Sequence, residues 1–323
     1  MTPSYGLTLS SEEHPPKDLV QNARKAEDAG FDFVSISDHI HPWIDAQGHS
    51  PFVWGVLGAI GEATSGIEVA VGVTCPTIRI HPAIVAHAAA TASLLLDGRF
   101  TFGIGSGENL NEHVIGHRWP PADTRLAMLE ESLELMRELW KGEKTDFRGE
   151  FYDVENLRIY DPPEAEIPVI VSGFGPKATE LAARIGDGWW TSGPDQELQQ
   201  TWQEAGGTGP KYGQLNVCYG PDEEACRQTV LEVWPNSGFP GELSQDLPTP
   251  QHFEQLAEIL TDEQALGPTP VGPDLDAICE SAQEYLDAGY DHLYFHQIGP
   301  DQDALIDVWQ SELGERVRAL TPN

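Results

Sequence analysis

Basic residues are scarce in this 323-residue chain. Eighteen lysines and arginines, only six of them lysine, stand against 52 aspartates and glutamates, a formal net charge of −34. Binding to a phosphate backbone or to an anionic membrane rests on Lys and Arg neutralising negative charge, so both functions are excluded. Cysteine is scarce too. Cys75, Cys218, Cys226 and Cys279 have no C-x-x-C spacing. That excludes a disulfide framework and a thiolate zinc site and leaves buried free thiols. No apolar run reaches the ~18 residues of a membrane span, and no basic amino-terminal start leads into an apolar run. A soluble, cytoplasmic protein is expected. There is no internal repeat.

What is present supports a large core, with 40% hydrophobic residues and nine tryptophans, more than a disordered acidic chain would carry. The acids are spread along the whole chain rather than gathered in a tail. A fold that repels itself this strongly is relieved by salt screening, so a halophilic cytoplasm is expected.

Strand-like and helix-like patterns alternate. Strands are expected at 5–9, 33–37, 68–73, 100–105, 169–172, 188–191, 215–219 and 293–295, with helices at 16–29, 52–64, 81–95, 124–140 and 176–185 among them. The pattern predicts an α/β chain, a (β/α)₈ TIM barrel, as one domain over 1–323. Two departures interrupt it. Residues 145–160 read as an inserted hairpin with a Gly turn between aromatic positions. Residues 234–273 are rich in Pro and Gly and read as an excursion over the carboxyl-terminal mouth, a lid.

Barrel chemistry gathers at the carboxyl ends of the strands. The second strand ends there in Ile36-Ser37-Asp38-His39-Ile40-His41-Pro42-Trp43. His39 and His41 can be ordinary capping or core histidines. They can also be zinc ligands, which would need partners from other strand ends, where the eighth strand offers only His296. No metal is expected. The third reading is acid–base work beside a cofactor, with His39 moving the proton and Trp43 as an aromatic wall. The fourth strand opens into Gly103-Ile104-Gly105-Ser106-Gly107-Glu108-Asn109-Leu110-Asn111-Glu112. Its glycines miss the G-x-G-x-x-G spacing and no P-loop lysine follows, but they let a flat ring approach the backbone, with Glu108, Asn109 and Asn111 at its edge. Ser172-Gly173-Phe174-Gly175-Pro176-Lys177 leads into a helix amino terminus, a setting that suits a phosphate. Each alone is compatible with a plain βα turn. Together they outline a phosphorylated planar cofactor across the mouth.

The order of these motifs, with Gly-Val-Thr-Cys-Pro-Thr before the fourth strand and Gly-Asp-Gly-Trp-Trp-Thr after the Gly-Phe-Gly-Pro-Lys-Ala turn, resembles the luciferase-like oxidoreductases. It is closest to the coenzyme F420-dependent glucose-6-phosphate dehydrogenase family. The likeness runs from Tyr5 to about Thr191 and returns at 291–296. It implies that Asp38, Cys75, Ser106, Gly107 and Asn111, with Phe174, Gly175, Lys177 and Ala178, hold the deazaflavin and its phosphate. It implies a non-prolyl cis peptide at Gly72–Val73 behind the ring. His39 and Glu108 match the family's proton-transfer pair, with Trp43 beside them, and Thr191 lies on the substrate side. Two positions depart from the family. Pro194 stands where it has a basic residue, and Leu266-Gly267-Pro268 stands where it has Lys-Arg-Trp, so the sugar-phosphate site is expected to be missing. An F420-dependent oxidoreductase follows, moving a hydride between an unphosphorylated alcohol or carbonyl and C5 of the deazaflavin. An FMN-dependent monooxygenase of the same superfamily, a barrel metallohydrolase and a non-catalytic cofactor-binding protein remain as alternatives. The expected partners are a small-molecule substrate and a second copy of the chain.

Overall fold

The computed structural model describes residues 2–239 and 242–322. Its first half is four βα units, built from short buried runs and amphipathic stretches in turn. They are β1 (Ser4–Leu9), α1 (Pro16–Asp28), β2 (Phe33–Ile36), α2 (Val53–Ala63), β3 (Glu68–Thr74), α3 (Pro82–Leu95) and β4 (Phe100–Ile104), followed by the single turn α4 (Asn109–Glu112) and the long α5 (Ala122–Leu139). Proline begins α1 and α3, where its fixed φ suits a first turn and its missing N–H costs no bond. The antiparallel pair β5 (Thr145–Arg148) and β6 (Asp153–Leu157) then leaves the barrel. Its turn is tied to α5, because the Glu131 carboxylate accepts from the N–H groups of Glu150, Phe151 and Tyr152 at 2.8–2.9 Å.

The barrel resumes with β7 (Val169–Ser172), α6 (Pro176–Ile185), β8 (Gly188–Thr191), α7 (Gln196–Glu204), β9 (Lys211–Val217) and α8 (Glu223–Val233). The segment 234–273 carries a 3-10 turn (Pro235–Gly238) and three short helices, α9 (Leu243–Asp246), α10 (Pro250–Ala257) and α11 (Asp262–Leu266). Residues 240 and 241 of it lie outside the described residues. Next come α12 (Leu275–Asp287), β10 (His292–Gln297), α13 (Gln302–Val308) and α14 (Gly314–Arg318). Eight parallel strands close in the order β1-β10-β9-β8-β7-β4-β3-β2, the (β/α)₈ barrel. No helix among the described residues is long and apolar enough to cross a membrane.

Two expected strands are displaced. β9 begins at Lys211 rather than at 215, and β10 spans 292–297 rather than 293–295. Their inward positions carry polar groups, Gln214, Asn216 and His296, so the apolar alternation marks only part of each strand.

Strand alternation divides the core in two. The inward set is Phe33, Ala70, Ile170, Trp190, Tyr212 and Tyr294, with Trp190 and Tyr212 stacked at 4.5 Å and 5°. The outward set packs against the helices. Towards the mouth the interior turns small and polar. Gly72–Val73 is a cis peptide, and the β3–β4 register shifts between Val71 and Thr74. A Cβ on Gly72 would collide with the Trp190 ring and one on Gly103 with the Val71 carbonyl, so only glycine fits at either place.

Candidate active site

Strand ends bring the β1–α1, β2–α2 and β4–α4 turns together at the mouth. His39, nine-tenths buried, lies between two carboxylates. Its Nδ1 is 3.3 Å from Glu12 Oε1, and its Nε2 is 3.8 Å from Glu108 Oε1. The same Nδ1 is 3.2 Å from the carbonyl oxygen of His41. A carbonyl oxygen only accepts, so the Nδ1 carries the hydrogen and the Nε2 is left as the basic nitrogen. Glu12 is held in turn by Ser37 Oγ at 2.6 Å and Ser10 Oγ at 3.1 Å, both donating. The Trp43 ring stands against the His39 imidazole at 4.9 Å, edge to face.

Asn111 is fully buried and fastens the two loops. Its Oδ1 accepts from Ile40 N at 2.8 Å and His41 N at 2.9 Å, and its Nδ2 donates to Glu108 Oε1 at 2.6 Å. Beneath it lies a buried charge cluster. Arg79 Nη2 donates to Asp38 Oδ1 at 3.0 Å, Thr74 Oγ1 donates to Asp38 Oδ2 at 2.8 Å, and Arg79 N donates to Glu112 Oε2 at 2.8 Å. Burial pushes the Glu112 carboxyl up to about 7, against the lowering pull of the Arg79 guanidinium. Burial also drives the Cys75 thiol well up, beside Glu112. Cys75 Sγ shares a hydrogen bond with Thr77 Oγ1 at 2.9 Å and backs Gly107, which has φ +78°, where an added Cβ would lie 2.6 Å from that sulfur.

The expected site residues are thus brought together at one mouth, but several face differently from what the motifs suggest. The side chains of Asp38 and Asn111 are spent on protein groups. Ser106 and Gly107 line the β4–α4 turn, half-buried. At the head of α6, Gly175 is the cap residue without a side-chain cap bond, and the Oγ1 of buried Thr179 has no hydrogen-bond partner among the described residues. Such an open helix amino terminus fits a phosphate. Phe174 is half exposed beside it. The Lys177 ammonium turns away from it and reaches Asp123 Oδ1 at 2.7 Å. Thr191 departs from expectation. It shares the outward face of β8 with Trp189 and meets Tyr290, so strand alternation turns it to the helix layer. His41 and His39 show no ligating arrangement, and among the described residues no group of three His, Cys, Asp or Glu side chains is placed to hold a metal.

Sequence reasoning missed Glu12, Arg79 and Glu112. Glu12 had a usable signal, an acid just past the carboxyl end of β1, in the same position on its strand as the Asp-His run on β2.

The segment 234–273 is fastened to two neighbouring loops of the mouth. On one side Trp119 Nε1 donates to Asp246 Oδ1 at 3.0 Å, Asn109 Nδ2 to the Asp246 carbonyl at 2.9 Å, and Arg125 Nη2 to Gln245 Oε1 at 3.2 Å. On the other, Glu254 Oε1 accepts from Asp45 N at 3.0 Å and Gln251 Nε2 donates to Asp45 Oδ2 at 3.1 Å. Between these ties Phe253 meets Trp43 at 5.3 Å.

Residues 2–292 match the family described as luciferase-like monooxygenase. The F420-dependent glucose-6-phosphate dehydrogenase of Segniliparus rotundus is 36% identical over 330 residues, covering 98% of each chain. That of Rhodococcus hoagii is 36% identical over 333 residues with the same coverage. Among solved structures, an F420-dependent secondary alcohol dehydrogenase in complex with an F420–acetone adduct superposes with TM-score 0.90 at 26% identity, covering 98% of this chain and 99% of that one. The F420-dependent tetrahydromethanopterin reductase of Methanopyrus kandleri shares the fold, with TM-score 0.78 at 18% identity over 98% of this chain and all of that one. The chain belongs to the luciferase-like family, among its F420-dependent oxidoreductases.

Proposed function

We propose that the enzyme oxidises an uncharged alcohol, or reduces the matching carbonyl, with coenzyme F420 as the redox partner. The observation that carries this reading is the His39 imidazole, its Nε2 free and its Nδ1 anchored, between Glu12 and Glu108. When bound, F420 supplies the hydride acceptor or donor at C5 of its deazaflavin ring. Gly72, Val73, Cys75, Ser106 and Gly107 would hold the ring, and the first backbone N–H groups of α6, at Lys177 and Ala178, would hold the phosphate beside Phe174 and Gly175. Asp38 and Asn111 act indirectly, by fixing the loops that carry His39 and Glu108.

In the oxidation direction His39 Nε2 takes the hydroxyl proton of the substrate, and Glu12 stabilises the imidazolium that forms. Glu108, oriented by Asn111, holds a second proton at the ring edge. Trp43, with Phe253 above it, keeps water from the pair. The segment 234–273 acts as the lid of this site. No Lys or Arg occurs in 234–273, and Leu266 is buried at 7% exposure against Trp234 and Val230, which supports a substrate without phosphate.

Titration with F420 and with FMN, followed by fluorescence quenching, tests the cofactor. Much tighter F420 binding is expected, and equal or preferential FMN binding would overturn the reading. Glucose 6-phosphate should reduce bound F420 slowly or not at all. Turnover at the rate of a dedicated dehydrogenase would overturn the absence of a phosphate site.

The enzyme is further proposed to be a cytoplasmic homodimer. An apolar groove between α2 and α3 leaves Phe52 and Ile84 each 61% exposed and Leu95 43% exposed, an unusual cluster on so acidic a surface. Ile84→Asp should shift the sedimenting species from dimer to monomer, and a monomeric parent would refute this assembly.

A further inference from the structure

The β1–α1 turn carries two carboxylates in succession, and the barrel sends them opposite ways. β1 lies between β2 and β10. Glu12 reaches towards β2, where its Oε1 is 3.3 Å from His39 Nδ1. Glu13 reaches towards β10, where its Oε2 pairs with His296 Nε2 at 2.6 Å and its Oε1 accepts from Gly299 N at 2.7 Å. One peptide unit thus joins two histidine–carboxylate pairs, one on each side of β1.

The second pair has nothing left over for a substrate. His296 is 1% exposed, and the Trp234 ring stands edge-on to it at 4.3 Å. Its Nδ1 lies 3.2 Å from Asn216 Oδ1 and 3.3 Å from Gln214 Nε2. Both imidazole nitrogens and both oxygens of Glu13 therefore meet protein groups. Burial works to raise the Glu13 carboxyl, but the His296 imidazole and the Gly299 N–H outweigh it, so Glu13 stays ionised below the usual range.

A buried pair of this kind adds little net stability over an apolar contact of the same size, because both groups lose their water. What it supplies is geometry, since charge-assisted hydrogen bonds are short and directional. The turn it fastens is the one that holds Glu12. On the β2 side that turn is tied by Ser11 N donating to Ser37 Oγ at 3.0 Å and by His49 N donating to the Glu12 carbonyl at 3.0 Å. The Glu13 clamp supplies the opposite side. We infer that Glu13 and His296 are positioning residues for the proton transfer, clamping the β1–α1 turn to the end of β10 so that the Glu12 carboxylate stays at His39 Nδ1. This rests on the reading of His39 given above. Reach is the property that matters here, and charge is secondary. Glu13→Asp keeps the charge but is one methylene short of His296 and Gly299. Glu13→Gln loses the charge but keeps the length, and its amide can accept from Gly299 N and donate to His296.

The test is nitrogen NMR of the full-length protein with labelled histidine, the His39 ring being identified by its absence in His39→Ala. The two ring-nitrogen shifts give the ratio of the Nδ1–H to the Nε2–H form of the neutral imidazole. Neither substrate nor cofactor is needed, so the outcome is independent of whether F420 binds or an alcohol turns over. The Nδ1–H form should predominate in the parent. Glu12→Ala and Glu13→Asp should each lower the ratio by roughly 5–20-fold, the loss of a hydrogen bond to a charged group. Glu13→Gln should stay near the parent. Glu13→Asp added to Glu12→Ala should cause no further fall, because Glu13 acts through Glu12. Should Glu13→Asp not fold, His296→Phe keeps a ring against Trp234 while offering Glu13 no donor, and the same fall is expected. An unchanged ratio in Glu13→Asp or its substitute, an equal fall in Glu13→Gln, or additive falls in the double variant overturns the inference and leaves the His39 reading intact. A parent in the Nε2–H form overturns both.

Discussion

At the scale of single residues, the His41 carbonyl sets the tautomer of His39, and Glu12 rather than a metal stands behind it. General acid–base catalysis contributes ~10²–10⁴-fold, so His39→Ala should lower kcat by about that factor while F420 affinity stays nearly constant. Glu12→Gln keeps the shape but removes the charge facing the imidazolium, and kcat should fall on the order of tenfold. His41→Ala should cost little. Equal loss in both histidine variants together with loss of a stoichiometric metal would favour the zinc reading instead. Glu112 yields a stability prediction. Unfolded it titrates near 4.5, and folded at about 7. Between those values the folded chain keeps a proton that the unfolded chain has lost, so the stability from this group is full below about 4.5 and falls away as pH rises to about 7. Urea midpoints at pH 5, 6 and 7 should therefore decline less in Glu112→Gln than in the parent. Parallel curves would show that Glu112 does not titrate in this range.

At the scale of elements, the segment 234–273 matters most, because its short helices are held by rim hydrogen bonds beside a few buried apolar anchors, Phe253 and Leu266. Asp246 ties to the β4–α5 connection and Gln245 to Arg125 in the first turn of α5, and Gln251 and Glu254 tie to Asp45. An exposed hydrogen bond from an indole N–H to a carboxylate contributes on the order of 1 kcal/mol, so Trp119→Phe should raise substrate KM a few-fold and speed hydrogen exchange across 243–257. F420 affinity should stay unchanged. Unaltered exchange in that stretch would show that the latch is not what holds the cover. Only part of this element was legible beforehand. Its Pro and Gly content marks an excursion, but the ties are between residues more than a hundred positions apart, and no local pattern reveals them. β9 shows the converse, a strand partly hidden because its inward side chains are polar for the sake of the site.

At the scale of the molecule, the charge of −34 is spread over a surface whose few bases are largely paired already, as in Lys25–Asp303, Arg184–Glu130 and Arg318–Asp32. Exposed pairs of this kind add little, and the remaining acids repel one another over a Debye length that lengthens as salt is removed. Melting temperatures in dilute buffer and in molar KCl should differ by more than about 10 °C, several kcal/mol for a chain of this size. A flat melting temperature would contradict the halophilic reading.

What the amino-acid order determined alone is what depends on neighbours in the chain. The βα alternation fixes the barrel, the glycines at 103, 105 and 107 open the fourth strand end, and the Asp-His run and Glu108 carry titratable groups to strand ends. What only the tertiary structure decided depends on which loops meet. Closure of the barrel sets β1 beside β2, which puts Glu12 behind His39. It also sets β10 beside β9, which joins His296 to Asn216. The burial of Arg79, Asp38 and Glu112 in one cluster, and the outward turn of Thr191, follow from strand register. Side-chain direction alternates with each residue, and a strand's partner is chosen by the whole sheet, so neither can be read from a local run of sequence.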